Sequence, residues 1–263
     1  MRIASLQPSV TLTLAALGRL DTLCAHTRYC LEVLPELAGF NLPILADSWT
    51  ASTDELRSVK PDLVIASVPY RMESLAAILK AGVPVLALAP HTLGDILKDT
   101  RLIAAQIDCI SQAELLIETF EQSLSSTYTK ARGLAIPTVY CEEWGKPLIH
   151  SQPWIAELVA IAGGSFVGTS GSQATAEAVA AIDPDILVFA WCGAGDRVPL
   201  ERVIAQRRWQ SLRAAQTKRV YCIPDEYLNT PAIPALMNGL KHLASAIHPE
   251  HFPAATRLVT MSR

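Results

Sequence analysis

Short runs of aliphatic residues alternate with amphipathic, helix-length segments in both halves of the chain. Such runs are typical of strands buried on both faces of a parallel sheet, and their alternation with helices is typical of α/β architectures. The pattern predicts strands at Arg2–Leu6, Leu23–His26, Leu63–Ser67, Val85–Leu88, Thr138–Cys141, Ile186–Ala190 and Val220–Ile223. It predicts helices at Ser9–Leu17, Thr53–Val59, Glu73–Ala81, Trp154–Ala162, Ala174–Ala180, Leu200–Gln206 and Ala232–Ala246.

One phrase of the sequence nearly recurs. Residues 59–69 read VKPDLVIASVP and residues 182–192 read IDPDILVFAWC. In both, a Pro-Asp turn follows a predicted helix and leads into a buried strand, which ends in a loop. The repeat predicts two similar α/β lobes, each with a strand ending at a cleft, so that both can present loops to one ligand.

The segment between the two halves carries a helical stripe without glycine or proline from position 95 to position 132. Its apolar residues recur every three or four positions, as on one face of an amphipathic helix. They are Ile103, Ile107, Ile110, Ala113, Ile117, Phe120, Leu124 and Tyr128. We therefore expect one backbone helix at 95–132 that joins an N-terminal lobe, 1–94, to a C-terminal lobe, 133–263.

Composition restricts the classes of partner. Half of the residues are hydrophobic, 18% are charged and the formal net charge is −3, with no Lys/Arg run, which argues against nucleic-acid binding. No apolar stretch is long enough for a membrane span, and the six cysteines form no CxxC motif. The first residues lack the features of a secretory signal, which predicts a cytoplasmic protein if residue 1 is the native start and a periplasmic one if the chain was trimmed. We expect a monomer.

Aromatic residues follow the predicted strands, where ligands of parallel α/β sheets bind. They are Tyr29, Trp49, Tyr70, Trp144, Trp191 and Tyr227. Six rings at one cleft would suit a large, flat or apolar ligand, although some of them could instead fill the interface between the lobes. Further candidate ligand-binding residues at the same ends are Pro8, Ser9, Arg71, Glu143 and Arg197.

Two local patterns suggest contacts to a charged group or a metal. The segment CGAGDR, residues 192–197, could offer backbone N–H groups and Arg197 to a phosphate or carboxylate, or could be a plain tight turn. His26, at a strand end, could be an axial ligand of a metal chelate, or a hydrogen-bonded structural histidine. Glu142 and Glu143 are adjacent on a strand and point to opposite faces, so they do not form a catalytic dyad. The chain contains no phosphate-binding, zinc-protease or serine-hydrolase motif, and we predict a protein that is not an enzyme and has no cofactor of its own.

Several segments in order resemble the helical-backbone substrate-binding proteins of metal-chelate ABC transporters, and among them the cobalamin-binding branch. The resemblance runs nearly end to end. It is carried by RIASLQPSVT, YC at 29–30, LRSVKPDLVIAS, AGVPVLALAPHTLGDI, EEWGKPL, ELVAIAGG, DPDILVFAWCGAGDRVPLE and GLKHLASAIHPEHF.

The resemblance implies a class III periplasmic-binding-protein-like fold, with two Rossmann-like lobes that hold a corrinoid or similar metal chelate. It also implies a permease partner, onto whose arginines acidic residues of each lobe dock. Glu73 and Glu201 occupy the matching positions here, where a glutamate is also favoured simply by the helix dipole.

Two other functions stay open at this point. A cytoplasmic enzyme or chaperone acting on a tetrapyrrole or metal chelate would use His26, Cys30 and Glu143. A haem or siderophore binder would use the same cleft, although siderophores usually require more positive charge than these loops offer.

Overall fold

A computed structural model describes residues 1–67 and 72–261 of the chain, so the predicted ligand residues Tyr70 and Arg71 lie outside the described residues. Its contacts divide the chain into two compact units. The first comprises residues 1–90, 94–118 and 232–234, and the second comprises residues 91–93, 119–231 and 235–263.

The first unit contains a five-stranded sheet in which every neighbouring pair of strands is parallel. Its strands are β1 (Ile3–Ser5), β2 (Leu23–Thr27), β3 (Ile44–Leu45), β4 (Leu63–Ser67) and β5 (Val85–Leu88), in the order β3-β2-β1-β4-β5. The helices between them are α1 (Pro8–Ala16), α2 (Arg28–Val33), α3 (Thr53–Ser58) and α4 (Met72–Leu79). Short 3-10 helices lie at Leu20–Thr22 and Pro35–Phe40.

Both faces of this sheet are covered, as the aliphatic runs predict. Along β4, Ile65 packs into one hydrophobic cluster, whereas its neighbours Val64 and Ala66 pack into another. Successive side chains of a strand point to opposite faces, so a strand that is buried on both sides must be apolar throughout. The run LVIAS therefore has no alternation of apolar and polar residues.

The second unit contains a seven-stranded mixed sheet. Its strands are β6 (Thr138–Gly145), β7 (Leu148–His150), β8 (Ser165–Phe166), β9 (Gln173–Ala174), β10 (Ile186–Phe189), β11 (Val220–Cys222) and β12 (Val259–Thr260). The order is β12-β11-β10-β6-β7-β9, with β8 also paired to β6. Strands β6, β8, β10 and β11 pair in parallel, whereas β7, β9 and β12 pair antiparallel. The helices are α7 (Pro153–Ile161), α8 (Ala176–Ile182), α9 (Leu200–Gln206), α10 (Arg213–Gln216), α11 (Asp225–Leu228) and α12 (Ile233–Ile247).

The repeated Pro-Asp phrase has the same role in both units. Asp62 accepts a hydrogen bond from the backbone N–H of Arg2, at 2.7 Å, just before β1 begins. Asp185 accepts the equivalent bond from the backbone N–H of Thr138, at 2.8 Å, at the start of β6. In each unit the aspartate therefore joins the start of the repeated strand, β4 or β10, to the start of the neighbouring strand.

The prediction of one helix at 95–132 needs correction. The segment forms two helices, α5 (Leu93–Gln106) and α6 (Ile110–Ala131). Between them Asp108 adopts a left-handed conformation, with φ of 52°, and the N–H of Cys109 bonds to the carbonyl of Ala104. This bond is typical of a Schellman helix end, where aspartate can occupy the left-handed position that glycine usually takes.

Two segments that were predicted to be loops are instead part of a helix or of strands. TRYC begins helix α2, and most of CEEWGKPL belongs to β6 and β7, which are joined by the turn at Lys146–Pro147. Every predicted strand and every other predicted helix is present within a few residues of its expected bounds. Within the described part of the chain, no helix is both long and apolar enough to span a bilayer.

Candidate functional site

The strand orders give one candidate binding edge in each sheet. In the first sheet, β2 and β3 lie on one side of β1, whereas β4 and β5 lie on the other side. The order in which the chain adds strands therefore reverses between β1 and β4. In the second sheet the same change falls between β6 and β10. Ligands of open α/β sheets bind beyond the carboxyl ends of strands at such a switch point. These two edges are therefore the candidate sites, and each is described within its own unit.

At the end of β1, the two predicted residues are less accessible than expected. Pro8 is the first residue of α1 and is half-buried, and Ser9 is buried, with its carbonyl accepting a bond from the hydroxyl of Thr13. Cys30, an alternative ligand residue, is also buried, and its thiol lies 3.1 Å from the hydroxyl of Thr11. Only Pro8 of these three presents part of its surface.

Tyr29 and Trp49 lie beyond β2 and β3 of the same sheet. The guanidinium of Arg28 donates to the Tyr29 hydroxyl at 2.7 Å and lies 4.6 Å from the ring centre. Trp49 is 45% exposed and belongs to a turn in which its own N–H donates to Asp47. A cavity of about 330 Å³ lies between these strand ends, lined by Thr27, Arg28, Tyr29, Ile44, Leu45, Ala46, Asp47 and Thr50.

His26 is placed unfavourably for axial ligation. It lies within β2, its side chain is buried, and its Nδ1 atom is 2.9 Å from the carbonyl of Thr27. This is the arrangement of the structural histidine that was the alternative interpretation.

In the second unit, Trp191 follows β10 and is held by a buried carboxylate. Its indole N–H donates to Oε1 of Glu142 at 2.7 Å. Arg207 donates to both oxygens of Glu142, at 2.7 and 2.8 Å, and the hydroxyl of Tyr140 donates to Oε2 at 2.6 Å. Each carboxylate oxygen therefore accepts two bonds, which is the condition under which a charge is tolerated in the interior. Burial and the neighbouring Glu142 raise the pKa of Tyr140, so its hydroxyl stays a donor.

Packing also restricts the Trp191 ring. A Cβ atom at Gly145 would come within 2.6 Å of the ring, so the backbone at Gly145 lies directly against it. The Phe189 ring meets it edge to face at 6.1 Å, and the Arg207 guanidinium carbon is 5.7 Å from its centre. Trp191 is therefore a rigid, partly exposed aromatic surface at the binding edge.

Glu143 faces a different set of groups from Glu142, as its position on the strand predicts. The amide of Gln152 donates to it at 2.7 Å. Burial raises the pKa of Glu143 to about 7, and the Gln152 bond offsets this only in part. Beside it, the Cys192 N–H bonds to the Glu143 carbonyl, and partial desolvation of the thiol, with the nearby Glu143 and Asp225, raises the pKa of Cys192. Asn229 donates to the Ala190 carbonyl at 2.6 Å, while its own side-chain oxygen is buried without a partner.

Trp144 is 43% exposed near the end of β6, and its indole N–H donates to the Lys146 carbonyl. Its ring is therefore held by its own hairpin, in contrast to that of Trp191.

Of the two interpretations of CGAGDR, a tight turn or a set of backbone N–H groups offered to an anion, the second does not hold for two of these N–H groups. The N–H of Gly193 donates to Oδ2 of Asp225 at 2.8 Å, and the N–H of Gly195 donates to Oδ1 at 2.7 Å. The carboxylate of Asp225 thus occupies the positions that an anionic ligand would take. Arg197 itself is exposed in this loop.

Arg257 fastens the neighbouring loops. It donates to Asp196 at 2.9 Å, to Glu226 at 2.6 Å and to the hydroxyl of Tyr227 at 3.4 Å. Tyr227 is half-buried, and its ring lies 5.0 Å from that of His242. These contacts fix the rim formed by the loop after β10 and by helix α11.

The two predicted docking residues, Glu73 and Glu201, are exposed in the first turns of α4 and α9. No group of three or more His, Cys, Asp or Glu residues that could hold a metal ion occurs among residues 1–67 and 72–261.

Sequence reasoning missed Arg207, Gln152 and Arg257. Arg207 follows helix α9, 65 residues from Glu142, and nothing in the local sequence distinguishes it from a surface arginine. Sequence reasoning also did not identify Asp225 as the partner of the glycine N–H groups.

Comparison with known proteins agrees with this geometry. The sequence model of the periplasmic binding protein family matches residues 3–227, and the chain belongs to that family. No curated protein sequence matches the chain.

Solved structures of this fold are similar over nearly the whole chain. A periplasmic heme-binding protein from Pseudomonas aeruginosa is 19% identical with a TM-score of 0.87, and the alignment covers 100% of this chain and 98% of that one. The periplasmic heme-binding protein RhuT from Roseiflexus sp. RS-1 is 23% identical with a TM-score of 0.80, covering 94% and 98%. The periplasmic vitamin B12-binding protein BtuF of Vibrio cholerae is 22% identical with a TM-score of 0.75, covering 94% and 96%. The two-unit α/β fold predicted from the sequence is thereby confirmed.

Proposed function

We propose that the protein binds cobalamin or a related corrinoid and releases it chemically unchanged, for uptake, storage or delivery. The observation that carries the proposal is the fixed position of Trp191. A ring that is already immobilised offers a large contact area to a flat, bulky ligand at little further cost in side-chain entropy. Membership of the periplasmic binding protein family supports ligand binding in general, and one solved relative of this fold binds vitamin B12.

The polar groups near Trp191 favour a ligand rich in amides. Gln152 and Asn229 are neutral, and the raised pKa of Glu143, about 7, allows its carboxyl to donate or accept a hydrogen bond near neutral pH. A corrinoid carries amide groups around its periphery, which both donate and accept. Trp144, Arg197 and Tyr227 would add contacts at the same rim, and Tyr29 and Trp49 would bind from the first unit.

Binding without catalysis is consistent with the two glutamates at this edge. All four bonds of Glu142 are made within the protein, and Glu143 is paired with Gln152. A general acid–base mechanism would require one of them to reach the ligand together with a second titratable group.

Calorimetry with cyanocobalamin and hydroxocobalamin tests the proposal. We expect saturable binding of both, with visible spectra that do not change. Replacing Trp191 by Ala should weaken binding at least tenfold, equivalent to about 1.4 kcal/mol. Tyr128→Ala, which removes an exposed ring of α6 outside the candidate site, serves as the control and should bind as the wild type does. Absence of binding to either cobalamin would refute the proposal.

Haem is the second candidate, and one observation favours it. The Tyr29 hydroxyl receives a hydrogen bond from Arg28, and a tyrosine oxygen is one of the axial ligands that proteins offer to haem iron. Three solved structures of this fold are of heme-binding proteins. If haem is the ligand, haemin will bind with a Soret band that shifts on replacement of Tyr29 by Phe, and cyanocobalamin will not compete.

Docking to an ABC permease through Glu73 and Glu201 is part of the proposed transport role. Both side chains are exposed on helices of different units. A variant with Glu73→Lys and Glu201→Lys should keep the wild-type affinity for cyanocobalamin but fail to stimulate a metal-chelate ABC permease reconstituted in vesicles. Full stimulation by that variant would exclude these residues as the docking contacts.

A further inference from the structure

We propose that Asp225 is a specificity-determining residue, which denies two backbone N–H groups of the binding rim to anionic ligands and so favours neutral ones. The inference rests on the proposed function only for the place where the ligand binds. The occupation of the N–H groups is a property of the second unit alone.

The geometry is that of an anion site with its anion supplied by the protein. Gly193 and Gly195 each donate one backbone N–H to one oxygen of the same carboxylate, at 2.8 and 2.7 Å. Both glycines have positive φ, 78° and 59°, in a turn that brings their N–H groups to one acceptor. Successive backbone N–H groups in such turns form concavities that bind phosphates and carboxylates. Here Asp225, the first residue of α11, fills the concavity.

A tethered carboxylate is a strong competitor for this position. Its effective concentration at the N–H pair is set by the fold and greatly exceeds that of a dissolved ligand. Two further carboxylates, Asp196 and Glu226, lie at the same rim, and both are paired with Arg257. Because these two carboxylates are already paired, the exchange that matters is at the N–H pair itself, where a ligand carboxylate would have to displace Asp225.

This arrangement discriminates by chemical class. An amide carbonyl of a neutral ligand does not need the pair, because Gln152 and Asn229 provide neutral partners nearby. A ligand with ionised carboxylates, such as a porphyrin with propionate groups, meets Asp225 instead of free donors. Specificity of this kind arises from an unfavourable contact with the wrong ligand as much as from attraction to the right one.

Titration with inorganic sulfate, followed by the amide resonances of Gly193 and Gly195, tests the occupation directly. In Asp225→Ala the two resonances should shift saturably with sulfate, whereas in the wild-type protein they should not respond. Glu226→Ala is the matched control, since it removes the same charge from the rim but leaves the N–H groups bonded to Asp225. Asp225→Asn, which keeps the shape of the side chain and one acceptor oxygen, should show a weaker response than Asp225→Ala and provides the measurement if the alanine variant does not fold.

Two results would overturn the inference. One is an equal response in Glu226→Ala, because net charge alone would then explain the effect. The other is no response in either folded variant of Asp225.

The ligand arm compares haemin with cyanocobalamin. We expect Asp225→Ala to raise the ratio of haemin affinity to cyanocobalamin affinity at least fivefold, and an unchanged ratio would refute the specificity role. If the wild-type protein binds neither ligand, the proposed function fails, whereas the sulfate titration still decides whether Asp225 occupies an anion site.

Discussion

The candidate binding edges of the two sheets hold their aromatic residues in different ways. In the first unit, Tyr29 is hydrogen-bonded to the adjacent residue, Arg28, and Trp49 belongs to a turn closed by Asp47. In the second unit, Trp191 is bonded to Glu142, 49 residues away, which is bonded in turn to Arg207. The first edge is therefore supported by local contacts, and the second by a buried network that joins β6, the loop after β10, and the end of α9.

The two edges differ in how rigidly they hold their aromatic side chains and in how far that rigidity depends on the rest of the fold. A buried carboxylate with four donors has one favourable arrangement, because a lost bond leaves a polar group unsatisfied in the interior. An exposed arginine beside a tyrosine can exchange its bond for one to water at little cost. We expect the second edge to present a fixed surface and the first to adapt to the ligand. The following predictions test this contrast, beginning with the largest effect.

Removing the buried arginine should have the greatest effect on stability. Arg207→Met leaves Glu142 buried without its ion-pair partner, which should lower the free energy of unfolding by about 3–5 kcal/mol. Urea unfolding followed by tryptophan fluorescence gives the value. The control is Arg101→Met in the first unit, which breaks the exposed pair with Glu114 and should have a much smaller effect. Similar losses in the two variants would contradict the distinction between buried and exposed support.

The raised pKa of Glu143 predicts a pH-dependent stability. In the folded protein the Glu143 carboxyl has a pKa of about 7, whereas its ordinary value is 4.5. The stabilisation is therefore complete below pH 4.5 and is lost as the pH rises to 7, by at most about 3 kcal/mol. Glu143→Gln should remove this component from the unfolding free energy measured between pH 4.5 and 8.

The first unit provides the comparison for that experiment. Burial raises the pKa of Asp99, in α5, to about 6, and the neighbouring Asp95 contributes in the same direction. Asp99→Asn should abolish the part of the pH dependence of the unfolding free energy that ends near pH 6. It should leave the part due to Glu143, which ends near pH 7. If both substitutions altered the same part of the profile, the assignment of Glu143 would be wrong.

A methyl group at Gly145 should disturb the Trp191 ring. Because the added Cβ would lie within 2.6 Å of the ring, Gly145→Ala should cost about 1–3 kcal/mol and shift the tryptophan emission. Gly39→Ala in the first unit is the control, since nothing lies within 4 Å of its added Cβ, and its effect should stay within about 0.5 kcal/mol. An unchanged emission spectrum in Gly145→Ala would show that the ring is free to move.

The smallest expected effects come from the aromatic residues themselves. Trp191→Phe removes one of the four donors to Glu142 and should cost about 1 kcal/mol of stability. Tyr29→Phe removes only the bond from exposed Arg28 and should leave the urea midpoint unchanged. A larger loss in Tyr29→Phe than in Trp191→Phe would reverse the proposed contrast between the two edges.

The strands and most helices were predictable because their signals are local. A run such as LVIA, residues 63–66, is apolar at every position, and burial on both faces of a parallel sheet is the arrangement that satisfies it. The short elements β3, β8, β9 and β12 have only two residues each, too few to show a periodicity. The break at Asp108 was not predicted because the apolar residues of both helices continue one stripe. In addition, an aspartate, unlike a glycine, is not by itself a signal for the end of a helix.

The site was predictable in part. The sequence correctly located Trp144, Trp191 and Tyr227 near the ends of β6, β10 and β11, since the end of a strand can be predicted from the sequence; their contact with a ligand stays a prediction. The partners of these residues could not be identified, because Arg207 and Arg257 come from elements far away in the chain. The sequence left open whether the two glycine N–H groups are available to a ligand, because it does not show that Asp225 reaches them.

The sequence by itself determined the α/β class, the repeated Pro-Asp strand in each half and the chemical character of the binding edges, because each depends on neighbouring residues and on burial. Only the tertiary structure decided which side chains are free to meet a ligand and which are already engaged. Hydrogen bonds such as those of Glu142 and Asp225 join residues that are brought together by the packing of distant elements. The spacing of residues along the chain does not predict those contacts.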